Sequence, residues 1–209
     1  MAPAEPHTAG RAEAGRQAPY DAVILAGGAA RRLGGADKPG LLVGGQPLIV
    51  TVAAAVAGAR RLVIVGPPRP ELPRAIVVRE DPPGAGPVPA LRAGLAEVAA
   101  PWTVLLAADL PFLRHADVAA LLAEAYGHDG ALLVDDAGHD QWLVGAWRTE
   151  RLRATLAGYS GSSLRGMLAP LEPVRLRSRT GGRPPWYDCD TEQDVARAQA
   201  LVQAPWMEE

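Results

Sequence analysis

Short apolar runs alternate with longer segments of helical periodicity through the first two-thirds of the chain. Runs of four or five apolar residues end at Gly, Pro or Asp, which is typical of buried strands. Strands are predicted at 21–25, 62–65, 75–78 and 103–107, and helices at 47–56, 90–99 and 116–126. Regular strand–helix alternation favours a mainly parallel sheet covered by helices on both faces, an α/β three-layer sandwich.

The last third of the chain has a different pattern. Two apolar runs, 131–134 and 142–147, flank the turn-forming segment Asp135–Gly138, which predicts a short antiparallel hairpin. Short helices at 150–156 and 163–168, an edge strand at 174–176 and a final helix at 191–202 follow. Either Asp190 or Thr191 could cap that final helix, and Asp194 adds negative charge to its first turn.

Length and composition indicate one globular domain. The chain has 209 residues, of which 48% are hydrophobic, enough for a single sizeable core. We expect a disordered extension over 1–19, because it mixes Ala, Gly, Pro and charges without an apolar segment. The domain is predicted over 20–204, with a short tail at 205–209.

The charge balance excludes some classes of partner. The formal net charge is −2 and charged residues make up 21% of the chain, whereas nucleic-acid and membrane-surface binders usually carry a basic excess. No apolar run is long enough to cross a bilayer. Cys189 is the only cysteine, so no internal disulfide can form. These features predict a cytoplasmic protein.

One cationic residue stands apart from the others. Lysine and arginine together number 21, and Lys38 is the only lysine among them. A GC-rich coding bias accounts for the preference for arginine. A lysine that persists against such a bias indicates a position where a compact point charge is needed in place of a planar guanidinium.

Lys38 closes a glycine-rich segment that follows the first predicted strand. Residues 25–38 read LAGGAARRLGGADK and hold four glycines, two arginines and the lysine. Glycine lets backbone N–H groups approach phosphate oxygens, and arginine and lysine add positive charge, so the segment suits a triphosphate. It matches neither the Walker A loop nor the dinucleotide fingerprint. A solvated flexible loop is the alternative interpretation.

An aspartate follows a later apolar run in a comparable place. Asp109 lies in Ala-Ala-Asp-Leu-Pro, directly after the strand predicted at 103–107. A carboxylate at the carboxyl end of a strand, beside a phosphate loop, is well placed to hold Mg²⁺. Capping of a helix or turn is the alternative role.

Acidic neighbours surround Cys189, which indicates a packed thiol and not a nucleophile.

The loop identifies a family resemblance. The pattern Leu25-Ala26-Gly27-Gly28-x-x-x-Arg32-x-Gly34-Gly35-x-Asp37-Lys38 resembles the signature of molybdenum cofactor guanylyltransferases, which are Rossmann-like nucleotidyltransferases. The resemblance extends from about residue 21 to 201. It implies transfer of GMP from GTP to molybdopterin, with Mg²⁺ as cofactor and pyrophosphate as product. It also implies transient contacts with molybdoenzymes or other cofactor-biosynthesis proteins.

The resemblance assigns roles residue by residue. Catalytic roles fall on Lys38, Arg32 and Asp109, and Mg²⁺ ligation falls on Asp109 and Asp190. The nucleotide-binding set implied by the family is Leu25, Ala26, Gly27, Gly28, Gly34, Gly35, Lys38, Gly66 and Asp81. Asp190 has a helix cap as its alternative role, and Asp188 is a weaker candidate that would support the site indirectly.

This chain departs from the family pattern at several positions. Gly66 stands where the family often has a nucleotide-binding asparagine, and Asp188 and Asp190 stand where guanylyltransferases have asparagine. Trp142 lies where the family often shows His-Pro, and its indole could stack on a pterin or belong to the core. A cytidylyltransferase of molybdopterin or of another phosphorylated small molecule is therefore an alternative. A non-catalytic nucleotide-binding regulator is a further one.

Overall fold

A computed structural model describes residues 18–27, 37–178 and 183–204. The predictions for residues 1–17 and 205–209 lie outside these ranges. Seven strands form one sheet in the order β5-β4-β1-β6-β8-β7-β9, and β2 and β3 form a separate hairpin. The strands are β1 (Tyr20–Leu25), β2 (Leu42–Val43), β3 (Gln46–Pro47), β4 (Leu62–Val65), β5 (Ile76–Val78), β6 (Trp102–Ala107), β7 (Gly130–Val134), β8 (Asp140–Arg148) and β9 (Val174–Arg177).

All strands of the large sheet run parallel except β8. Strand β1 pairs in parallel with β4 on one side and β6 on the other, whereas β8 pairs antiparallel with both β6 and β7. The chain moves outward from β1 through β4 to β5, and then returns to place β6 against the opposite side of β1. Strand order thus reverses between β1 and β6. Crevices that bind ligands in such sheets form at this point, beyond the carboxyl ends of the strands.

Helices cover both faces of the sheet, which confirms the predicted three-layer sandwich. The helices are α1 (Leu48–Ala55), α2 (Pro87–Ala96), α3 (His115–Ala125), α4 (Thr149–Gly158), α5 (Leu164–Leu168) and α6 (Glu192–Gln203). Helices α1 and α3 pack on one face, and α2, α4 and α5 pack on the other. No described helix is long and apolar enough to cross a membrane.

Strand β1 shows why the sequence specifies a central strand. Ala22 and Ile24 belong to the core on one face, and Val23 and Leu25 belong to the core on the other. Because successive side chains point to opposite faces, a strand buried on both sides must be apolar throughout. Complete burial of a side chain such as Ile24 contributes roughly 2 kcal/mol.

Several predicted elements match closely, including the hairpin of β7 and β8 and the edge strand β9. Helix α2 differs, because it begins at Pro87 and not at residue 90. Proline is tolerated in the first helical turn, where its missing N–H has no intrahelical acceptor, so the Pro-rich segment starts the helix. The small β2–β3 hairpin was not predicted, because two-residue strands leave no periodic pattern.

Candidate active site

Lys38, Asp109 and Asp190 meet beyond the carboxyl end of β6, although 152 positions separate the first from the last. The Lys38 ammonium contacts Oδ2 of Asp109 and lies 2.5 Å from Oδ1 of Asp190. The Lys38 and Asp109 side chains are mostly buried, and that of Asp190 is half exposed. We call these three residues the carboxyl-edge cluster. The structure therefore brings together three site residues that were predicted from separate segments.

The cluster carries an excess of negative charge. Burial alone would lower the pKa of Lys38, but the nearby charges of Asp109 and Asp190 outweigh burial and raise that pKa above its ordinary value. The pKa of neighbouring Asp188 is also raised, which for a carboxyl group favours the neutral form. Loss of solvent raises the pKa of Asp188, and repulsion by Asp190 and Asp109 raises it further. The site thus stabilises an added cation more readily than another anion.

Backbone contacts place the two aspartates side by side. Asp109 follows β6 closely, and the N–H of Cys189 donates to the Asp109 carbonyl at 3.2 Å. This bond attaches the segment 188–190 to the end of β6. Lys38 begins a short 3-10 turn, Lys38–Gly40, that leads into β2. Residues from three loops therefore meet at the carboxyl end of β6.

A small separate core underlies this arrangement. Its buried members are Val43, Leu48, Phe112, Cys189 and Ala198. These residues come from the segments that carry Lys38, Asp109 and Asp190, together with α6. Packing among them fixes the three loops against one another, because close-packed interiors resist displacement.

Hydrogen bonds to the β2–β3 hairpin add to this core. The Gln199 side chain accepts from the Gly44 N–H and donates to the Leu42 carbonyl, both at 3.0 Å. Helix α6 thereby holds the hairpin, and the hairpin continues directly from the turn that bears Lys38.

The structure separates the two roles considered for Asp190. Thr191 caps α6, since its Oγ1 accepts from the Asp194 N–H at 3.2 Å and Asp194 Oδ2 accepts from the Thr191 N–H at 2.8 Å. The capping role for Asp190 is therefore wrong, and its carboxylate faces Lys38. Asp109 is likewise no cap, because its Oδ2 contacts Lys38 and its buried Oδ1 has no hydrogen-bond partner among the described residues.

Cys189 is confirmed as a packed thiol. It is fully buried in the small core, and burial followed by the charges of Asp109 and Asp194 raises its pKa to about 12. A thiol in that state is protonated near neutral pH and does not act as a nucleophile.

The predicted nucleotide-binding residues lie at the neighbouring strand ends. Leu25 and Ala26 are buried at the end of β1, and exposed Gly27 follows them. Gly66 packs so closely that a Cβ there would lie 2.8 Å from the Ala26 carbonyl, and its N–H donates to Val78. Only glycine permits that approach. Asp81 is exposed on the loop beyond β5.

Four predicted loop residues, Gly28, Arg32, Gly34 and Gly35, lie outside the described residues. Their roles stay predictions. The described part of the loop begins again at Asp37, one residue before Lys38.

Sequence reasoning missed Arg69, whose buried side chain forms a bidentate ion pair with Asp37. A usable signal was present, because Arg69 follows the end of β4 within a proline-rich segment at the same edge of the sheet. It also missed Glu80, which is buried beyond β5. Glu80 Oε1 accepts from the Gly84 N–H at 2.8 Å and would lie 3.5 Å from a Cβ on Gly27.

The turn between β7 and β8 has mainly local contacts. His139 Nδ1 lies 3.1 Å from Asp135 Oδ2, and the pKa of Asp135 is lowered first by the backbone N–H of His139. Trp142 is partly buried and packs against the core on the α2 face, which favours its structural role.

The described residues contain no group of three or more His, Cys, Asp or Glu side chains arranged to hold a metal ion. The carboxyl-edge cluster offers two carboxylates. Magnesium bound with phosphate substrates commonly uses one or two protein carboxylates, with phosphate and water oxygens completing its octahedron. Two carboxylates therefore suffice for a metal that arrives with a nucleotide.

The parallel sheet, the glycine-rich loop beyond β1 and the carboxylates beyond β6 define a Rossmann-like α/β protein with a nucleotidyltransferase type of site. A family model, the MobA-like NTP transferase domain, matches residues 22–175. The chain belongs to that family.

Relatives agree with this assignment. The chain is 32% identical over 194 residues to a molybdenum cofactor guanylyltransferase of Bradyrhizobium sp., covering 86% of this chain and 92% of the relative. The fold is similar to molybdopterin-guanine dinucleotide biosynthesis protein A from Archaeoglobus fulgidus, with a TM-score of 0.69 and 19% identity over 87% of this chain and 98% of that one. It is also similar to a 2-C-methyl-D-erythritol 4-phosphate cytidylyltransferase from Thermus thermophilus, with a TM-score of 0.68 and 19% identity over 87% and 98%.

Proposed function

We propose that this chain transfers GMP from GTP to the phosphate of molybdopterin, forming molybdopterin guanine dinucleotide and releasing pyrophosphate. The observation that carries the proposal is the contact of Lys38 with Asp109 and Asp190 where strand order reverses between β1 and β6. Membership of the MobA-like family and the named guanylyltransferase relative support the choice of substrates.

The reaction needs positioning more than covalent chemistry. An oxygen of the acceptor phosphate attacks the α-phosphorus of GTP and forms a new P–O bond. The bond from the α-phosphorus to the bridging oxygen breaks, and pyrophosphate leaves with that electron pair. Both reactants are anions, so the site must hold them in line and offset their charge.

Lys38 supplies a positive charge at this place. Its pKa lies above the ordinary value for lysine, so the ammonium stays charged throughout the working pH range. A compact ammonium beside the α-phosphate stabilises the charge that grows in the transition state. Arg32 and the glycines Gly28, Gly34 and Gly35 would contribute further donors to the phosphates. Leu25, Ala26, Gly27, Gly66 and Asp81 would line the nucleoside side.

The residues present fit a divalent metal. Asp109 has a buried carboxylate oxygen without a partner among the described residues, and Lys38 shows that a cation is stable between Asp109 and Asp190. Both ligands are hard oxygen donors, as Mg²⁺ prefers. When bound, Mg²⁺ would neutralise part of the phosphate charge. Asp109 and Asp190 are the residues that would hold it, and Asp188 would support them electrostatically.

The choice of base is tested by differential stabilisation. Selective binding to the native state raises the melting temperature. We expect GTP with Mg²⁺ to raise it more than CTP, UTP or ATP. Turnover is then followed as pyrophosphate release with molybdopterin as acceptor. An equal or larger shift with CTP, together with CMP transfer, would replace the guanylyl assignment by a cytidylyl one. Nucleotide binding without transfer to any acceptor would favour a regulator.

The cytoplasmic location and the contacts with molybdoenzymes stay predictions.

A further inference from the structure

Arg69 is a buried arginine whose charge is directed at a residue beside the catalytic lysine. Its Nη1 lies 2.5 Å from Oδ2 of Asp37, and its Nη2 donates to Oδ1 at 2.7 Å. The Arg69 side chain is 4% exposed, whereas that of Asp37 is 58% exposed. A fork-on-fork pair of this kind fixes both the position and the plane of the carboxylate.

Arg69 lies in a segment whose backbone is restricted. Arg69 follows β4 within Gly66-Pro67-Pro68-Arg69-Pro70, where three prolines restrict the backbone. Its carbonyl accepts from the Leu72 N–H at 2.9 Å, which closes a turn. Asp37 directly precedes the turn Lys38–Gly40. The restricted segment can therefore act as an anchor for that turn.

The local geometry of the Asp37 segment transmits that anchor to Lys38. The Gly40 N–H donates to the Asp37 carbonyl at 2.9 Å, which closes the turn around Lys38. A Cβ on Gly40 would overlap Oδ2 of Asp37, so the turn closes tightly over the paired carboxylate. Moving Asp37 therefore requires moving the backbone of Lys38.

The burial of Arg69 distinguishes this pair from an ordinary surface ion pair. A pair between two exposed side chains contributes little to stability, whereas a buried guanidinium that loses its partner is costly. Hydrogen bonds from Arg69 hold the pKa of Asp37 below its ordinary value. The buried Arg69 guanidinium is therefore stabilised only while the Asp37 carboxylate keeps this position.

We propose that Arg69 is a positioning residue for catalysis. Acting through Asp37, it fixes the turn that carries Lys38 and so sets the position from which the Lys38 ammonium acts. Its effect on turnover rests on the proposed function, whereas its effect on the place of Lys38 does not.

The composition of the chain supplies a direct probe. Lys38 is the only lysine, so protein labelled with ¹³C,¹⁵N-lysine gives the side-chain signals of one residue. We expect a dispersed, well-ordered Lys38 signal in the unaltered chain without any ligand. Arg69→Met should move the signal toward the shift of lysine in an unfolded chain and raise its mobility. Arg69→Gln, which adds no lysine, should restore it only in part, because a neutral amide cannot make the charged bidentate contact.

Arg151→Met is the matched control. It removes another arginine–aspartate contact, at 2.8 Å from Asp129, but on the exposed surface near the start of β7. The Lys38 signal should not change. If Arg69→Met fails to fold, Asp37→Asn tests the same link at an exposed position with an almost unchanged shape, and a smaller change in the same direction is expected.

Turnover provides the second measurement. At saturating GTP, Arg69→Met should lower kcat by about 10- to 100-fold with a smaller change in KM, the scale of a misplaced catalytic group. A folded Arg69→Met or Asp37→Asn protein with an unchanged Lys38 signal would overturn the positioning role. If the unaltered chain transfers no nucleotide, the proposed function fails, and the lysine signal still decides the role of Arg69.

Discussion

Two ion clusters lie at opposite ends of the strands of the same sheet, and they differ in construction. The carboxyl-edge cluster joins one cation to two carboxylates. At the other edge, Asp129 lies 2.8 Å from Arg151 and 3.8 Å from Arg148, so one carboxylate meets two cations. We call this second group the amino-edge cluster. Its members are more exposed than Lys38 and Asp109.

The difference lies in what holds each cluster together. Asp129, Arg148 and Arg151 fall within 23 positions, beside the paired ends of β7 and β8. Lys38, Asp109 and Asp190 come from distant segments, fixed by a core of their own. Exposed ion pairs contribute little to stability. Charges gathered in a partly buried site are typical of functional sites. The comparison favours a functional role for the carboxyl-edge cluster and a structural role for the amino-edge cluster.

The largest effect is expected at Asp109. Asp109→Asn keeps the shape but removes the negative charge beside Lys38, so we expect turnover to fall by about 10²- to 10³-fold. Pyrophosphate release with GTP and acceptor measures it. Asp129→Asn is the matched change at the amino edge, where kcat should stay within about twofold. Similar losses for both variants would remove the distinction between the clusters.

Lys38→Arg should have the second-largest effect on turnover. The variant keeps the charge, but a guanidinium is broader and must align its plane, so we expect a loss of about 100-fold in kcat/KM, near 2.7 kcal/mol. Circular dichroism confirms that the protein folds. At the amino edge, Arg151→Lys should have almost normal activity. Near-normal kinetics for Lys38→Arg would show that the single lysine reflects composition alone.

Asp190 and its neighbour Thr191 separate catalysis from helix capping. Asp190→Ala should lower turnover by about tenfold or more with little change in stability, because its carboxylate faces Lys38 and caps nothing. Thr191→Ala should lower the free energy of unfolding by about 1 kcal/mol, because it removes the cap of α6. Denaturant unfolding and steady-state kinetics on both variants measure the split. The reverse pattern would return Asp190 to a structural role.

The smallest effect at working pH is expected from Cys189. Its pKa of about 12 in the folded chain exceeds the ordinary value of 9.0, so the folded state retains the proton more strongly than the unfolded state. Stability from this group is fully present below pH 9 and declines as pH rises toward 12. At pH 8, iodoacetamide should label Cys189 only after unfolding. Rapid labelling of the folded protein would contradict the packed-thiol assignment.

Patterns in the sequence were sufficient for the fold class and for identifying two of the three residues that meet in the carboxyl-edge cluster as candidates. Doubly buried strands such as β1 must be apolar at every position, so they are visible as uninterrupted runs. Asp109 could be identified because a carboxylate directly follows such a run, and Lys38 because no other lysine occurs. The first two signals depend on neighbouring residues and the third on composition, so none of them requires knowledge of the fold.

Contacts between distant segments were decided by tertiary packing. The choice between capping and cation binding at Asp190 depended on Thr191 taking the cap and on Cys189 bonding to Asp109. The partnership of Arg69 with Asp37 left no periodic trace, because it joins two irregular loops. Side chains on loops acquire partners only when the strands beneath them pair in a particular order. That order is set by the burial of whole faces and not by any local motif.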